Sequence, residues 1–425
     1  MTANSRITGF RDMSVEERRE VLAATAGMQL EAFAGVDSDA FGPAAAADLS
    51  ENIFGVFSLP LGVATNFQIN GKDVLVPMAT EEASVIAAAS NAARIARPRG
   101  GFFTSSSAPV MQAQIQVIDV ADPAAACARI LERQGEIIDL ANQQDPKLVE
   151  LGGGVLGLDT RLVEATGATY VLVHLKVDVR DAMGANAVNT MAEAVAGLVA
   201  SIAEGTALLR ILTNKADLRL ARAHAVFDTE LLGGPDVVDG ILHAYQLAAA
   251  DPYRAATHNK GIMNGISAVV LATGNDTRAV EAGAHSHAVA DGRYTSMSAF
   301  EKNADGDLVG TLELPMPVGL VGGATKVHPA ARTALQIAGV ETAQQLAELI
   351  VATGLAQNLA ACRVLATEGV QRGHMSLHAK NLATAAGASP EEAKRVVAQL
   401  IEEKTFRYDR VVELLDALRA EGRKE

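Results

Sequence analysis

The chain has 425 residues, 49% of them hydrophobic and 20% charged, and its formal net charge at pH 7 is −14. This length is too great for one ordinary hydrophobic core, so we predict two or three domains. No run of basic residues is present, which argues against nucleic acid as a partner, because binding to a phosphate backbone requires clustered Lys and Arg. The acidic charge does not exclude a small anionic ligand, which needs only a local basic pocket.

The cysteines and the apolar segments bear on the cellular compartment. Cys127 and Cys362 form neither a CxxC pair nor a disulfide framework, which is usual in a reducing cytosol. No apolar segment follows Arg6 and Arg11, so no signal peptide is predicted. No run of about 18 uncharged apolar residues was found, so no membrane span is predicted. These features predict a cytoplasmic protein.

The first hundred residues predict helices around one hairpin. A helix is expected over residues 14–34, opened by Ser14, and a hairpin over Val63–Val76 with its turn at Asn70-Gly71. A second helix is expected from Thr80 to Ala96, with Thr80 as its N-cap. Residues 104–107 are expected to form a polar turn.

The next segment alternates strand and helix patterns. A helix should begin at Asp122-Pro123 and run to about Gln144, and another should follow Gly184. Four stretches have the composition or alternation of strands: Met111–Val117, Leu156–Val163, Val171–Val177 and Ala207–Leu212. The order β-α-β-β-α-β predicts a ferredoxin-like domain with an antiparallel sheet, inserted at residues 109–214.

The rest of the sequence has the patterns of helices, polar loops and one strand at Leu308–Leu314. Ser389 to Glu392 form a capping box at the start of a C-terminal helix. We therefore predict an α+β fold with a large, mostly helical domain, the inserted small domain and a small C-terminal helical flap. The predicted boundaries are 1–108 and 215–370 for the large domain, 109–214 for the small domain and 371–425 for the flap.

The segment Asp251–Gly265 is dense in polar groups that are able to act on a substrate. These are Asp251, Arg254, His258, Asn259, Lys260 and Asn264. Gly261 and Gly265 stand among them and permit a close approach of the backbone. A polar loop followed by a buried helix has the same composition, so both interpretations remain open.

Other motifs were weighed against structural explanations. Gly152–Gly157 matches G-x-G-x-x-G but follows a helix and precedes a strand, so a turn is predicted rather than a dinucleotide fingerprint. Gly322–Lys326 lacks the spacing of a P-loop. His374 and His378 are four residues apart, but the glutamate of a zinc-binding H-E-x-x-H motif is absent and no third ligand is evident, so no metal is predicted.

Two further stretches carry both a structural and a functional interpretation. Asp181–Asn186 lies where a strand ends and a helix begins, so its amides are available for a phosphate, although a simple Asp N-cap is the alternative. Glu81 and Glu82 fall in the first turn of the predicted 80–96 helix, where a carboxylate complements the helix dipole. A role for one of them in proton transfer is the other possibility.

Together these motifs resemble the hydroxymethylglutaryl-CoA reductase (HMG-CoA reductase) family over nearly the whole chain, and most closely its soluble bacterial form, class II. The motifs fall in the family's order with the lysine segment among them: ENIFG at Glu51–Gly55, PMATEEAS at Pro77–Ser84, DAMGAN at Asp181–Asn186, GNDTRAVEAGAH at Gly274–His285 and GHMSLHAKN at Gly373–Asn381. Two departures are Ala83, where the family often has proline, and the Ile53-Phe54 pair.

The resemblance implies conversion of 3-hydroxy-3-methylglutaryl-CoA to mevalonate and CoA with two hydride transfers, or the reverse. It assigns Lys260 to stabilise the oxyanion, Asp276 to hold and tune Lys260, Glu82 to supply a proton and His374 to protonate the CoA thiolate. Further substrate contacts implied are Ser84, Arg254, Asn264, Gln357, Asn214 and His378. Arg254 suits the terminal carboxylate of the substrate, because a guanidinium binds carboxylate bidentately.

The resemblance also makes the small domain a dinucleotide-binding domain, with contacts from Asp145, Asp181, Met183, Gly184, Ala185 and Asn186. A carboxylate at Asp145 favours NAD(H) over NADP(H), because it accepts hydrogen bonds from ribose hydroxyls and repels a 2′-phosphate. The implied assembly is an obligate homodimer with the active site at the subunit interface, possibly in a larger oligomer of dimers, without a membrane anchor. Two alternatives remain: another NAD-dependent acyl-CoA or hydroxyacyl-CoA dehydrogenase, and a non-catalytic CoA-binding protein.

Overall fold

The computed structural model describes residues 4–37, 40–367, 369, 379, 382–403 and 405–421. The strands in this part of the chain are β1 Leu61–Ile69, β2 Lys72–Ala79, β3 Phe102–Ser106, β4 Val110–Ile118, β5 Gly154–Ala165, β6 Ala168–Asp178, β7 Thr206–Leu212, β8 Leu220–Phe227, β9 Val289–Ala290, β10 Arg293–Tyr294, β11 Ser298–Lys302 and β12 Leu308–Pro315. The α-helices whose two ends are described are α1 Val15–Ala26, α2 Pro43–Ala47, α3 Val85–Ala96, α4 Pro123–Glu132, α5 Gln134–Asn142, α6 Pro146–Glu150, α7 Ala185–Ala203, α8 Thr229–Leu232, α9 Pro235–Ala250, α10 Pro252–Ala272, α11 Thr277–His287, α12 Gly323–Val327, α13 Pro329–Ala338, α14 Ala343–Ala366, α15 Pro390–Glu403 and α16 Tyr408–Glu421.

The first helix is shorter than predicted. Ser14 caps α1 as expected: its hydroxyl accepts a hydrogen bond from the Glu17 amide, and the Glu17 carboxylate accepts one from the Ser14 amide. The helix ends at Gly27, whose φ of 66° is left-handed, and a 3-10 helix follows at Leu30–Val36. The prediction of one helix through residue 34 was wrong, because a left-handed glycine terminates the α-helical hydrogen bonding.

The hairpin is confirmed, but the segment after it begins its helix late. Asn70 and Gly71 have φ values of 49° and 77°, which fit the tight turn between β1 and β2. Helix α3 begins at Val85 rather than near Thr80, because Ser84 has a left-handed φ of 73°. Glu82 therefore lies in the connection before the helix, and the helix-dipole explanation for it was wrong.

A mixed sheet forms the centre of the large part of the molecule. Across the described residues its strand order is β11-β12-β8-β3-β1-β2. Only β1, β2 and β12 had been predicted; β3 was expected as a polar turn, and β8 and β11 were missed. The alternating alanines of β8, at 221, 223 and 225, are buried, and so small a side chain gives a weak hydrophobic signal. The expectation of a mostly helical domain underestimated this sheet.

Helix α14 lies within the hydrophobic core of the large part of the molecule. It is long and apolar enough to cross a membrane by length and composition, although no span had been predicted, and 72% of its most apolar 18-residue window is buried inside the protein. It packs against β3, β8 and β12 on one side and against α3, α9 and α10 on others. The apolar surface of α14 is therefore buried against neighbouring strands and helices of the protein.

The inserted region has the predicted topology. Its four described strands lie in the order β5-β6-β4-β7, every neighbouring pair is antiparallel, and the chain order is β-α-β-β-α-β. The helix expected from Asp122 to Gln144 is interrupted at Arg133 and becomes α4 and α5. Gly152–Gly157 spans the turn between α6 and β5 and the first residues of that strand, as predicted.

The buried hydrophobic residues of the described chain form four groups. One core surrounds α14, a second lies under the four-stranded sheet, a third joins α15 to α16 through residues such as Val396, Leu400 and Val411, and a smaller fourth includes residues of α1, β1, β2 and α13. The capping box of Ser389 and Glu392 is confirmed. The boundaries at 108, 214 and 370 stay a prediction.

Helices α10 and α14 are in tight contact at Gly265. A Cβ at Gly265 would lie 2.8 Å from the Gln357 Cβ and 2.9 Å from the Thr353 carbonyl oxygen. At Gly261 the nearest atom would be the Ala361 Cβ at 3.8 Å, an ordinary contact. The glycine at 265 is therefore required by helix packing, whereas the glycine at 261 is not.

Gly265→Ala is expected to lower the free energy of unfolding by about 1–3 kcal/mol, because the added methyl group overpacks the α10–α14 contact. Gly261→Ala is the matched control and should be neutral or stabilising, since alanine is favoured over glycine within a helix by about 1 kcal/mol. Chemical denaturation of the two variants and the parent measures the difference. Equal stability of the two variants would contradict this packing.

Candidate active site

The polar segment singled out in the sequence is helical throughout. It forms the first two-thirds of the 21-residue helix α10, which Asp251 caps by accepting a hydrogen bond of 2.8 Å from the Arg254 amide. The interpretation as a polar loop was wrong. Because the segment is a helix, its polar side chains divide between a buried face and an accessible face.

On the accessible face, Lys260 meets Glu82. The Lys260 Nζ lies 2.7 Å from Glu82 Oε2, and Asn264 Nδ2 donates to Glu82 Oε1 at 3.2 Å. Asn264 is one helical turn after Lys260, so both donors reach the same carboxylate. The Lys260 and Glu82 side chains are 60% and 37% exposed, so the pair is open to a ligand.

On the buried face, His258 and Asn259 attach α10 to its neighbours. The His258 Nε2 lies 2.9 Å from Ser298 Oγ and 3.2 Å from Asn358 Nδ2, and Ser298 Oγ donates to Asn358 Oδ1 at 2.7 Å. Asn259 donates to the Thr295 carbonyl at 2.8 Å. These two side chains fix the rotation of α10 and do not face a ligand, although their residue types had suggested that they could act on one.

Burial determines the protonation of this network. It lowers the pKa of His258 to about 4, and the nearby charge of Arg254 acts in the same direction. Burial also raises the pKa of the Cys362 thiol to about 12. His258 is therefore neutral at pH 7, and Cys362 is a protonated thiol buried in the core.

Other predicted substrate contacts surround the Lys260–Glu82 pair. Ser84 follows Glu82 by two residues, is exposed and has the strained φ of 73° noted above. Gln357 is buried on α14 beside Gly265, and its Oε1 has no hydrogen-bond partner in the described structure. The guanidinium of Arg254, two turns before Lys260, has no ion-pair partner among the described residues. Ser84 and Arg254 are available to a polar ligand, whereas the Gln357 oxygen is unpaired but buried.

A second site is a cleft of about 720 Å³ between the small sheet and the large part of the molecule. One wall is the Met183–Asn186 loop and the start of α7, whose N-cap Gly184 has a φ of 103°. The first amides of a 19-residue helix lack internal partners and attract anions. The opposite wall lies between Gly319 and Thr325 and includes the first part of Gly322–Lys326, the stretch that lacked the spacing of a P-loop.

The two predicted aspartates of this site differ in position. Asp145 lines the cleft and caps α6, with Oδ1 accepting from the Leu148 amide at 2.9 Å. Asp181 does not line it: its Oδ1 accepts from the Ala343 amide at 2.8 Å, at the start of α14. Asp181 was predicted to contact a dinucleotide, and this stays a prediction: in this structure its Oδ1 is bonded to another helix.

Asp276 also lines the cleft, and it is far from Lys260 in the same chain. Its Oδ1 caps α11 by accepting from the Arg278 and Ala279 amides at 3.0 and 3.1 Å. From Lys260 to the end of α10 at Ala272 the helix rises roughly 18 Å. No hydrogen bond or ion pair between Asp276 and Lys260 is found within the described chain, so the predicted contact does not form inside one subunit.

The structure gives little information on the remaining predicted site residues. Asn214 is exposed in the connection after β7, with its carbonyl against Gly283. His374 and His378 lie outside the described residues. Among the described residues, no group of three or more His, Cys, Asp or Glu is placed to hold a metal ion.

A family model described as hydroxymethylglutaryl-coenzyme A reductase matches residues 14–379. The chain belongs to this family. It is 54% identical over 417 residues to the 3-hydroxy-3-methylglutaryl-coenzyme A reductase of Archaeoglobus fulgidus, covering 98% of this chain and 95% of that protein. It is 32% identical over 391 residues to a probable reductase of Borreliella burgdorferi, covering 88% of each chain.

Solved HMG-CoA reductases agree with the fold. One from Streptococcus pneumoniae superposes with a TM-score of 0.83 at 40% identity and covers 97% of this chain and 99% of that chain. The class II enzyme of the same organism, bound to NADPH in open conformations, gives 0.81 at 40% identity, covering 96% and 100%. The resemblance noted in the sequence is confirmed, including its class II assignment, and the chain is an oxidoreductase of the HMG-CoA reductase family.

Proposed function

We propose that this chain interconverts 3-hydroxy-3-methylglutaryl-CoA and mevalonate plus CoA, using two equivalents of NAD(H), in the cytoplasm. The observation that carries the proposal is the accessible Lys260–Glu82 pair, with Nζ 2.7 Å from Oε2. A cation beside a carboxyl group that can relay a proton is what reduction of a thioester carbonyl requires. The family membership supports the same substrate.

Lys260 stabilises the negative oxygen that forms when the thioester carbonyl is reduced. Bound dinucleotide in the cleft supplies the hydride in each of the two steps. Glu82, oriented by Asn264, supplies a proton to the oxygen. His374 is proposed to protonate the CoA thiolate when the carbon–sulfur bond breaks. The aldehyde that remains is reduced in the second step, again with Lys260 beside the oxygen.

Substrate recognition is assigned to groups with free hydrogen-bonding capacity around the pair. Arg254 binds the terminal carboxylate, because its guanidinium has no competing partner in the described chain. The buried Gln357 Oε1, which lacks a partner among the described residues, accepts a hydrogen bond from the substrate. Ser84, Asn214 and His378 are proposed as further contacts.

An obligate homodimer completes the site in this proposal. Asp276 lines the cleft and cannot reach Lys260 of its own chain, so the Asp276 that holds and tunes Lys260 comes from a second copy, with the dinucleotide cleft beside it. The side chains of Phe54 and Phe57 are 101% and 89% exposed, and neighbouring apolar groups exposed to this extent support a protein interface. A larger assembly of dimers is compatible with this arrangement.

Lys260→Ala is expected to lower kcat at least ~10²–10³-fold while substrate still binds, because it removes the cation that stabilises the oxyanion. Lys302→Ala is the control, since Lys302 forms an exposed ion pair with Asp239 away from the site. Steady-state kinetics and substrate binding are measured together. Activity of Lys260→Ala within about tenfold of the parent would remove this role.

The same assay separates the alternatives by stoichiometry. The proposed reaction oxidises two NADH for each CoA released. Another acyl-CoA or hydroxyacyl-CoA dehydrogenase would transfer one hydride and release no CoA, and a non-catalytic CoA-binding protein would oxidise no NADH.

Preference for NADH over NADPH is expected because of Asp145. Its Oδ1 is used in capping α6, and the other oxygen is available to a ribose hydroxyl and repels a 2′-phosphate. Lys147 is the nearest cation in sequence, and its Nζ lies 3.3 Å from Glu150 Oε2, so its charge is already paired. Asp145→Asn retains the cap but loses the charge, and should reduce the ratio of kcat/KM values for NADH and NADPH by about tenfold, equivalent to ~1.4 kcal/mol.

The control is Asp139→Asn, an exposed carboxylate of α5 that does not line the cleft. It should leave the ratio unchanged. Equal catalytic efficiency of the parent with NADH and NADPH would refute the preference.

A further inference from the structure

Arg219 is a buried cation between the two walls of the dinucleotide cleft. It is only 5% exposed and immediately precedes β8. Its Nη1 donates to the carbonyls of Ala182 and Met183, each at 3.0 Å, and its Nη2 donates to the carbonyl of Val318 at 2.6 Å. No carboxylate lies within ion-pair distance of it in the part of the chain that the structure describes.

An unpaired guanidinium in a protein interior is costly. Burial lowers the pKa of Arg219 to about 10, and the carboxylates of Asp178 and Asp181 oppose the shift from a distance. The group is therefore still charged at pH 7. A methionine would fill similar space without this cost, so the retained charge requires an explanation.

The hydrogen bonds of Arg219 orient the backbone of the cleft. In a trans peptide the carbonyl and the amide point in opposite directions. The Met183 carbonyl faces Arg219, so the Gly184 amide of the same peptide unit faces away from it. Helix α7 begins at the next residue with its own unpaired amides. The contact with Val318 fixes the opposite wall, one residue before Gly319 of the cleft lining.

We propose that Arg219 is a positioning residue for the phosphates of the dinucleotide: it orients the 182–184 backbone and places a buried positive charge behind it, without touching the ligand. This inference rests on the proposed function, in that the cleft binds a dinucleotide. It adds a residue whose influence should depend on the phosphate groups and not on the base or sugar.

Two substitutions separate the charge from the hydrogen bonds. Arg219→Lys retains a positive charge but loses the planar array of donors, and Arg219→Gln retains amide donors but is neutral. Arg222→Gln is the matched control, because Arg222 lies three residues further along on β8, is exposed and pairs with Glu313. All three variants are made and measured in the full-length protein.

Binding is followed by the fluorescence of NADH, and by displacement of NADH with ADP and with adenosine. Arg219→Gln should weaken NADH and ADP binding at least tenfold, equivalent to ~1.4 kcal/mol, and Arg219→Lys should weaken both less. Adenosine affinity should change less than about twofold in either variant, equivalent to ~0.4 kcal/mol. The dependence of ADP affinity on salt should also be shallower in Arg219→Gln than in the parent.

Equal losses for ADP and adenosine would show that Arg219 only joins the two walls, and would overturn the proposal. The same conclusion would follow if Arg219→Lys lost as much ADP affinity as Arg219→Gln. If Arg219→Gln does not fold, the ratio of ADP to adenosine losses in Arg219→Lys decides between the two roles. A parent protein that binds neither NADH nor ADP would instead refute the proposed function.

Discussion

The contact between α10 and α14 is the constraint on which the active site depends. Gly265 allows the two helices to approach closely, and the buried network of His258, Ser298 and Asn358 sets the rotation of α10. Once that rotation is set, Lys260 and Asn264 must face outward toward Glu82. Helix α14 also packs against β3, β8 and β12 of the six-stranded sheet, so the position of Lys260 is tied to the large hydrophobic core.

The dinucleotide cleft is organised by a different set of contacts. Arg219 and the Asp181 carboxylate hold the loop before α7 against the large part of the molecule, and neither lines the cleft. Asp145 and Asp276 both line the cleft, whereas Lys260 and Glu82 lie elsewhere on the same chain. In the proposed function the Lys260–Glu82 pair and the cleft act on the same substrate. Because they do not meet within one chain, that function needs two copies.

The sequence predicted what depends on local pattern. Alternation or composition predicted the four strands of the small sheet, and Ser14, Asn70 and Ser389 marked helix caps and a turn elsewhere in the chain. It failed where tertiary contacts decide: the strained Ser84 delays α3, and the alanines of β8 are too small to signal a buried strand. The separate roles expected for Lys260 and Glu82 came from the family resemblance, and the structure added that the two side chains are in contact. The inward roles of His258 and Asp181 were beyond sequence reasoning, because the same polar residue types serve a ligand or a neighbouring helix.

The most direct test of the two-copy site is a heterodimer of Lys260→Ala and Asp276→Asn subunits, purified through two different tags. Asparagine at 276 still caps α11, so only the charge is lost. If Lys260 and Asp276 join across the interface, one of the two sites of the heterodimer contains both native residues. About half of the activity of the unmutated dimer should then return, although the Lys260→Ala homodimer and the Asp276→Asn homodimer are each inactive. Heterodimers that form but remain inactive would show that each site draws both residues from one chain.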